Sequence, residues 1–456
     1  MTKQAIFIYD VSTCNRRKLD CQRLYEYFWK NHYPIVTNPV EADVILLVTC
    51  AYSTKHAELS LQAVKRFSKY RAEVVVIGCL PAIEPEQLRN IFNGKIVSTE
   101  NLNRIQELFP GNIVNFEDMT DAHSPWQNIL EFETISALKR TFPTGTLPDK
   151  IKSKFGHNFQ SLLLQSKSTN CKNNLAKFLL AKRIKEKLNL PLQLHNEAFF
   201  IRPSWGCLGN CSYCVIKKAI GPLRSKPIKD VISDFETGLR LHYTNFIFDA
   251  DDIGSYGLDI GTTFPVLLQN ILTIKGDYKI HIRNIHPTWV VTYVESLKTM
   301  VQSGKIQGIG CSIQSGNPRI LRLMHRYPDT EKVKTTLQDL QQSCPNLVLA
   351  TECINGFPTE TFEEFQDTLQ FLNEVNFSLG YIFPFSSRPG TPAERLEPKI
   401  KADEINSRMT YADQYLRKNG YENIILKKHN ILLFSKNSPT FSLTDSSKSF
   451  CLATID

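Results

Sequence analysis

A chain of 456 residues, 42% hydrophobic and 22% charged, is long enough for two or three domains with real cores. No stretch approaches the ~18 apolar residues of a membrane span, and the opening MTKQAIFIYD has too short an apolar run for a signal peptide, so the chain reads as cytoplasmic and free of membrane. Its net charge is +9, and its twelve cysteines, with no secretion signal, point to a reducing compartment where clustered thiols serve metals rather than disulfides.

Residues 1–116 alternate strand and helix patterns. Ala5–Tyr9 is a short apolar strand, and Arg16–Lys30 has helical spacing with Leu19, Leu24, Tyr27 and Phe28 on one side. Val44–Val48 is the continuous apolar run of a buried parallel strand, Ala57–Tyr70 is helical, and Val74–Ile77 is a third buried strand. The pattern predicts an open parallel α/β domain. Cys14 lies a few residues past the first strand, Cys50 ends the second and Cys79 ends the third. Ligands gather at the carboxyl ends of parallel strands, so these three can meet at one edge and hold an iron–sulfur cluster; each alone would read as a core cysteine.

Residues 117–197 read as a basic, partly helical insertion. Pro143, Gly145 and Pro148 break it, and Asn173–Leu190 is amphipathic, with Leu175, Phe178, Leu179, Ile184 and Leu188 at helical spacing. Between Lys139 and Lys187 stand twelve Lys/Arg and two acids. Such a segment is either a solvated insertion or a polyanion-binding arm. Cys171 has no partners nearby in sequence.

Residues 198–395 repeat strand and helix six times. The strands are Phe199–Arg202, Asn245–Asp249, Lys279–Arg283, Gln307–Ile313, Leu347–Glu352 and Gly380–Phe385; helices such as Lys229–Leu241, Trp289–Ser303 and Phe362–Val375 lie between them. Six such units predict a partial (β/α)6 barrel with its chemistry at the carboxyl ends of the strands. Cys207, Cys211 and Cys214 follow the first strand as C-x3-C-x2-C. Three thiolates can hold three irons of a cubane and leave the fourth open to a small molecule. Zinc is the competing reading, but a closed zinc site wants a second ligand pair and none follows; three buried cysteines without a role is the third. Later strand ends carry Asp249, Asp251, Asp252, Asn284, Gln314, Ser315 and Glu352. Each alone reads as a turn or cap, but together they would ring one mouth. Residues 396–456 read as a helix and a short extension, in which Ile424–Phe434 has room for two strands.

The cysteine triplet, with Tyr213 before its last member, resembles the radical S-adenosylmethionine (SAM) enzymes. EADVILLVTCAYSTKHAE around Cys50, VVVIGCLPA around Cys79, IQSGNPRILRLMHR, INGFPTETFEEF and SSRPGTPAERL resemble the radical SAM methylthiotransferases over residues 1–100 and 198–418. DADDIGSYGLDIGTTFPVLL is most similar to the archaeal and eukaryotic branch, which acts on threonylcarbamoyladenosine beside the tRNA anticodon. Two departures stand out: Thr13 replaces the usual glycine before the first cysteine, and the residues after Tyr421 do not accommodate the full C-terminal RNA-binding barrel.

The resemblance implies SAM and two 4Fe-4S clusters. Cys207, Cys211 and Cys214 would hold the cluster whose open iron binds SAM and cleaves it to a 5′-deoxyadenosyl radical. Cys14, Cys50 and Cys79 would hold an auxiliary cluster carrying a sulfur that a second SAM methylates; the substrate carbon radical would take the methylthio group. Tyr213, Asp251, Asp252, Asn284, Gln314, Ser315 and Glu352 would line the SAM pocket, and Arg388 would lie near the substrate or the sulfur site. The implied partners are tRNA, or alternatively a protein or ribosomally made peptide, and an external electron donor such as a flavodoxin or ferredoxin, with the chain a monomer. A binding protein that keeps the fold and clusters without turnover is a further reading.

Overall fold

The structure, a computed structural model, describes residues 3–11, 13–123, 198–426 and 430–436. The expected helix Asn173–Leu190, the basic run and Cys171 lie outside the described residues.

The first sheet is parallel, with β1 (Ile6–Asp10), β2 (Val44–Thr49), β3 (Glu73–Gly78) and β4 (Lys95–Ser98) side by side in chain order. Every residue of β2 is buried, as expected for a strand covered on both faces. Helix Asn15–Lys30 buries Leu19, Leu24, Tyr27 and Phe28. Helix Thr54–Phe67 starts at Ser53, whose hydroxyl accepts from His56 N. Strand β4 was not foreseen, because KIVS is short and half of it is exposed at the sheet edge.

The second sheet contains the six expected strands, each within a few residues of its predicted limits. The chain enters it as β5 (Ala198–Ile201), forms an antiparallel ribbon of β6 (Ser204–Trp205) and β7 (Arg224–Ser225) around the Cys207–Cys214 loop, and continues as β8 (Asn245–Asp249), β9 (Lys279–Ile285), β10 (Ile306–Cys311), β11 (Val348–Asn355) and β12 (Leu379–Pro384). Strands β5, β8, β9, β10, β11 and β12 pair in that order, all parallel. The expected helix Trp289–Ser303 is two helices, Pro287–Thr292 and Val294–Val301. The break falls at Tyr293, which leaves helical ψ and stacks on Trp289 with ring centroids 5.7 Å apart.

The sheet continues beyond the sixth barrel strand. After helix Ala402–Lys418 the chain forms a hairpin of β13 (Tyr421–Leu426) and β14 (Ile431–Lys436), and β14 pairs antiparallel with β12. Five of the six residues of ILLFSK are buried, and Ile431 and Leu433 pack with Val348, Leu379 and Tyr381. The extension therefore covers what would otherwise be an open edge.

Buried ion pairs join the two sheets. Arg202, fully buried after β5, binds Asp20 at 2.7 Å, Asp121 at 2.8 Å and the Arg16 carbonyl at 3.1 Å. Lys226 also reaches Asp121. Burial alone would raise the Asp121 carboxyl, but Lys226, Arg202 and Arg23 outweigh it and hold it below the usual carboxylate range.

Candidate active site at the domain boundary

The N-terminal cysteines come together because three parallel strands end at the same edge. Cys14 precedes helix Asn15–Lys30, and its carbonyl accepts from Arg17 N at 2.9 Å and Lys18 N at 3.0 Å. Ser60 pins Cys50 by bonding both its amide, at 3.1 Å, and its carbonyl, at 2.7 Å. Cys79 follows Gly78, whose φ is +108° and whose added Cβ would lie 2.4 Å from the Thr49 oxygen. Only glycine lets β3 end this close to β2.

All three thiols are free of disulfides and feel one another electrostatically. Burial pushes Cys50 well up, and the neighbouring Cys79 and Cys14 add to it. Burial pushes Cys79 up to about 11, against the opposing charge of Arg17. Buried thiols that repel one another as thiolates fit a site where a metal supplies the compensating positive charge. Among the described residues no three His, Cys, Asp or Glu side chains are close enough to hold a single metal ion.

The second triplet sits in the loop between β6 and β7. Cys207 Sγ accepts from Gly209 N at 3.1 Å, and Cys211 Sγ accepts from Arg326 Nη1 at 3.4 Å. Burial, with Asp252 next in effect, pushes Cys207 up to about 12. The residues after Cys214 belong to the other domain's core: Val215 and Ala219 pack with Ile83 and Val97, and Glu100 N donates to the Ala219 carbonyl at 3.0 Å. The two cysteine loops are thereby stitched together.

A cavity of about 490 Å³ lies against the N-terminal cysteines and reaches Tyr213, Ile216 and Ile220 of the second loop, while Cys207, Cys211 and Cys214 are not part of its lining. Cys14, Cys50, Cys79, Arg16, Arg17 and Tyr52 form its N-terminal wall; Tyr213, Asp249, Asp251, Arg283, Asn284, Gln314 and Glu352 form its barrel wall; Ile354, Phe383, Phe385 and Ile431 add apolar surface. Arg16 crosses from one wall to the other, binding Asp249 at 2.8 Å and Asp251 at 3.0 Å. Asn284 and Gln314 hold left-handed backbone, with φ of 57° and 71°. Both are strand-end residues turned into the cavity, and such conformations cost energy that binding sites commonly retain. Asn284 Nδ2 donates to Asp249 at 2.7 Å. Burial raises the Glu352 carboxyl, although Arg283 and Arg16 oppose the shift.

Two expected pocket residues are employed otherwise. Asp252 is absent from the cavity lining: its carboxylate accepts from Trp289 Nε1 at 2.6 Å and His286 N at 3.4 Å, tying the loop after β8 to the helix Pro287–Thr292 that follows β9. Ser315 is also absent from it and bonds Thr368 Oγ1 at 3.2 Å and Asn317 N at 3.2 Å. Arg388, expected near the substrate or the sulfur site, lines the cavity together with Cys14, Cys50 and Cys79, and its guanidinium is held by Glu84 at 2.7 Å and the Ala51 carbonyl at 3.0 Å. Sequence reasoning missed Arg16, Arg17 and Arg326. The run CNRRK, with two arginines directly after Cys14, was the available signal for the first two.

Residues 201–372 match the family model described as the Radical SAM superfamily, and residues 7–98 match Uncharacterized protein family UPF0004. The chain is similar to the probable threonylcarbamoyladenosine tRNA methylthiotransferase of Pyrococcus abyssi (strain GE5 / Orsay), at 23% identity over 384 residues, 84% of this chain and 77% of that protein. It is as similar to ribosomal protein uS12 methylthiotransferase RimO of Thermotoga maritima, at 24% over 404 residues, 87% of this chain and 79% of that one. A probable threonylcarbamoyladenosine tRNA methylthiotransferase of Archaeoglobus fulgidus is 32% identical over 232 residues, 50% of this chain and 54% of that protein. Among solved structures, the radical SAM methyltransferase TsrM from Kitasatospora setae shares the fold, with a TM-score of 0.54 at 12% identity, over 96% of this chain and 86% of that one.

Proposed function

Because the chain belongs to the radical SAM methylthiotransferases, enzymes that use SAM and two 4Fe-4S clusters, we propose that it methylthiolates threonylcarbamoyladenosine in tRNA, with the domain-boundary cavity as its active site. The observation that carries the reading is the single cavity bounded on one side by Cys14, Cys50 and Cys79 and on the other by Tyr213, which stands between Cys211 and Cys214. When bound, the clusters and SAM supply the radical that opens an unactivated C–H bond and the methylthio group that replaces the hydrogen.

The protein's own residues hold and orient. Cys207, Cys211 and Cys214 anchor one cluster, and Cys14, Cys50 and Cys79 the other. Asp251, Asn284, Gln314 and Glu352 offer carboxylates and amides to the amino, carboxylate and ribose groups of SAM. Tyr213 closes the floor between the cysteine loop and the cavity. Arg16 and Arg17 bring positive charge to the N-terminal wall, which favours anionic thiolates there. The apolar side chains of Phe383, Phe385 and Ile431 exclude water from the reacting carbon.

The tRNA reading is supported by the names of the Pyrococcus and Archaeoglobus relatives and by the twelve Lys/Arg between Lys139 and Lys187, which suit a phosphate backbone. An external donor, a flavodoxin or ferredoxin, delivers the electron; Leu208, 51% exposed in the Cys207–Cys214 loop, gives it a surface to approach. Mass spectrometry of tRNA nucleosides and of small proteins and peptides, from cells with and without the gene, tests the assignment. The methylthio derivative of threonylcarbamoyladenosine should vanish without it. Unchanged tRNA and the loss of a methylthiolated peptide would move the substrate to the protein branch.

A further inference from the structure

Arg326 lies half-buried beneath the Cys207–Cys214 loop, outside the cavity lining. It ends a segment, Leu323–Arg326, that runs against the loop residue by residue. Ser212 Oγ donates to the Leu323 carbonyl at 2.6 Å, and Ser212 N to the Met324 carbonyl at 3.0 Å. His325 Nδ1 donates to the Asn210 carbonyl at 3.1 Å. Arg326 Nη1 lies 3.4 Å from both Cys211 Sγ and Tyr213 Oη, and its Nη2 donates to the Ser312 carbonyl just past β10. The turn that permits this is left-handed at His325, with φ of 55°, and Arg326 N closes it on the Leu321 carbonyl at 2.8 Å. Arg326 Nε is buried without a hydrogen-bond partner.

We propose that Arg326 is a positioning residue that sets the reduction potential of the cluster held by Cys207, Cys211 and Cys214. The inference rests on the assignment of that triplet to a cluster. Taking up one electron makes the cluster more negative. A fixed positive charge and an N–H···S bond stabilise that reduced form more than the oxidised one, and so raise the potential. Arg326 is half-buried with its Nε fully enclosed, so salt screens the effect only in part. Arg326 thereby governs how readily a given donor charges the cluster, without touching substrate.

The test uses the full chain with Cys14, Cys50 and Cys79 changed to Ala, so that one cluster remains. About four irons per chain are expected; their absence would fail the cluster assignment itself, separately from the role of Arg326. In that background an EPR-monitored redox titration compares Arg326→Gln, Arg326→Lys and Ser212→Ala. Arg326→Gln should move the midpoint to more negative potential, lowering the reduced-to-oxidised ratio at fixed poise at least tenfold, which is about 59 mV for one electron. Arg326→Lys, which keeps the charge but not the fork of donors, should shift it less in the same direction. Ser212→Ala removes a loop contact without removing charge and should leave the midpoint in place. An unchanged midpoint in Arg326→Gln at full iron content would overturn the proposal, and so would an equal shift in Ser212→Ala. If Arg326→Gln does not retain its cluster, Arg326→Lys decides: an unshifted or less negative midpoint refutes, and a more negative one supports.

Discussion

Replacing Arg388 with Met should destabilise the N-terminal domain sharply, and replacing Glu84 as well should restore much of the loss. Arg388 and Glu84 are 3% and 6% exposed, and their Nη2–Oε1 distance is 2.7 Å. Removing one partner of such a pair strands the other charge in a poorly solvated site, at a cost of about 3–5 kcal/mol. The Ala51 carbonyl, next to Cys50, loses its donor in the same step. Met fills most of the vacated volume, so the loss reports charge rather than a cavity. At a denaturant slope of about 3 kcal/mol per M urea, the midpoint should fall by roughly 1 to 1.7 M. In Arg388→Met with Glu84→Gln no charge is stranded, and the midpoint should recover by more than half. Urea unfolding of wild type, both single variants and the double gives the coupling energy directly. A double variant as unstable as Arg388→Met, or a coupling below about 0.5 kcal/mol, would refute the buried-pair account.

Three further outcomes are expected. His286 accepts from Thr288 N at 3.2 Å through its unprotonated Nδ1, and burial, then the charge of Arg326, depress it to about 2. Below its unfolded value of ~6.5 only the unfolded chain takes up the proton, so this contribution is present above that pH and is lost as pH falls, by up to about 2 kcal/mol at pH 5 and less where water reaches the ring. His286→Gln should flatten stability against pH between 6.5 and 5; an unchanged acid limb would contradict this. Asp251→Asn should weaken SAM binding at constant iron content, whereas Asp252→Asn should lower the unfolding free energy by about 1–3 kcal/mol and leave SAM affinity alone; calorimetry and unfolding that give the reverse pattern would exchange their roles. Gly78→Ala places a Cβ 2.4 Å from the Thr49 oxygen at a φ of +108°, so a loss of about 1–3 kcal/mol or more, with reduced iron retention, is expected; normal iron content and stability would show that β3 can yield.

What the sequence made legible was whatever depends on local period and on strand ends. The runs Val44–Val48 and Val74–Ile77 announced buried parallel strands, and that alone put Cys50 and Cys79 at one edge. The six barrel strands followed from the same alternation. Side-chain direction in the loops was not legible. Asp251 and Asp252 are adjacent, yet one faces the cavity and the other is turned away by Trp289, 37 residues further on. Nor could a period reveal pairs such as Arg388–Glu84, separated by 304 residues, or Arg16–Asp249, separated by 233. The hairpin strands were foreseen, but their docking on β12 depends on an edge that exists only once the barrel has formed.

The ion pairs between the two sheets bear on what kind of target the enzyme can accept. Swinging the domains apart would break Arg16–Asp249, Arg202–Asp20 and Arg388–Glu84 together, each at a cost of several RT, and all in places that salt hardly reaches. The gap between the cysteine triplets is thus a fixed gauge rather than a jaw. A reacting carbon embedded in a bulky surface cannot be admitted by widening that gauge; it has to be carried in on a slender projection, past Tyr52, which is 39% exposed at the cavity wall. The rigidity of the scaffold transfers the burden of reach to the substrate, and favours a nucleotide turned out of its stack or a side chain at the tip of a loop over any atom lying flush with its surroundings.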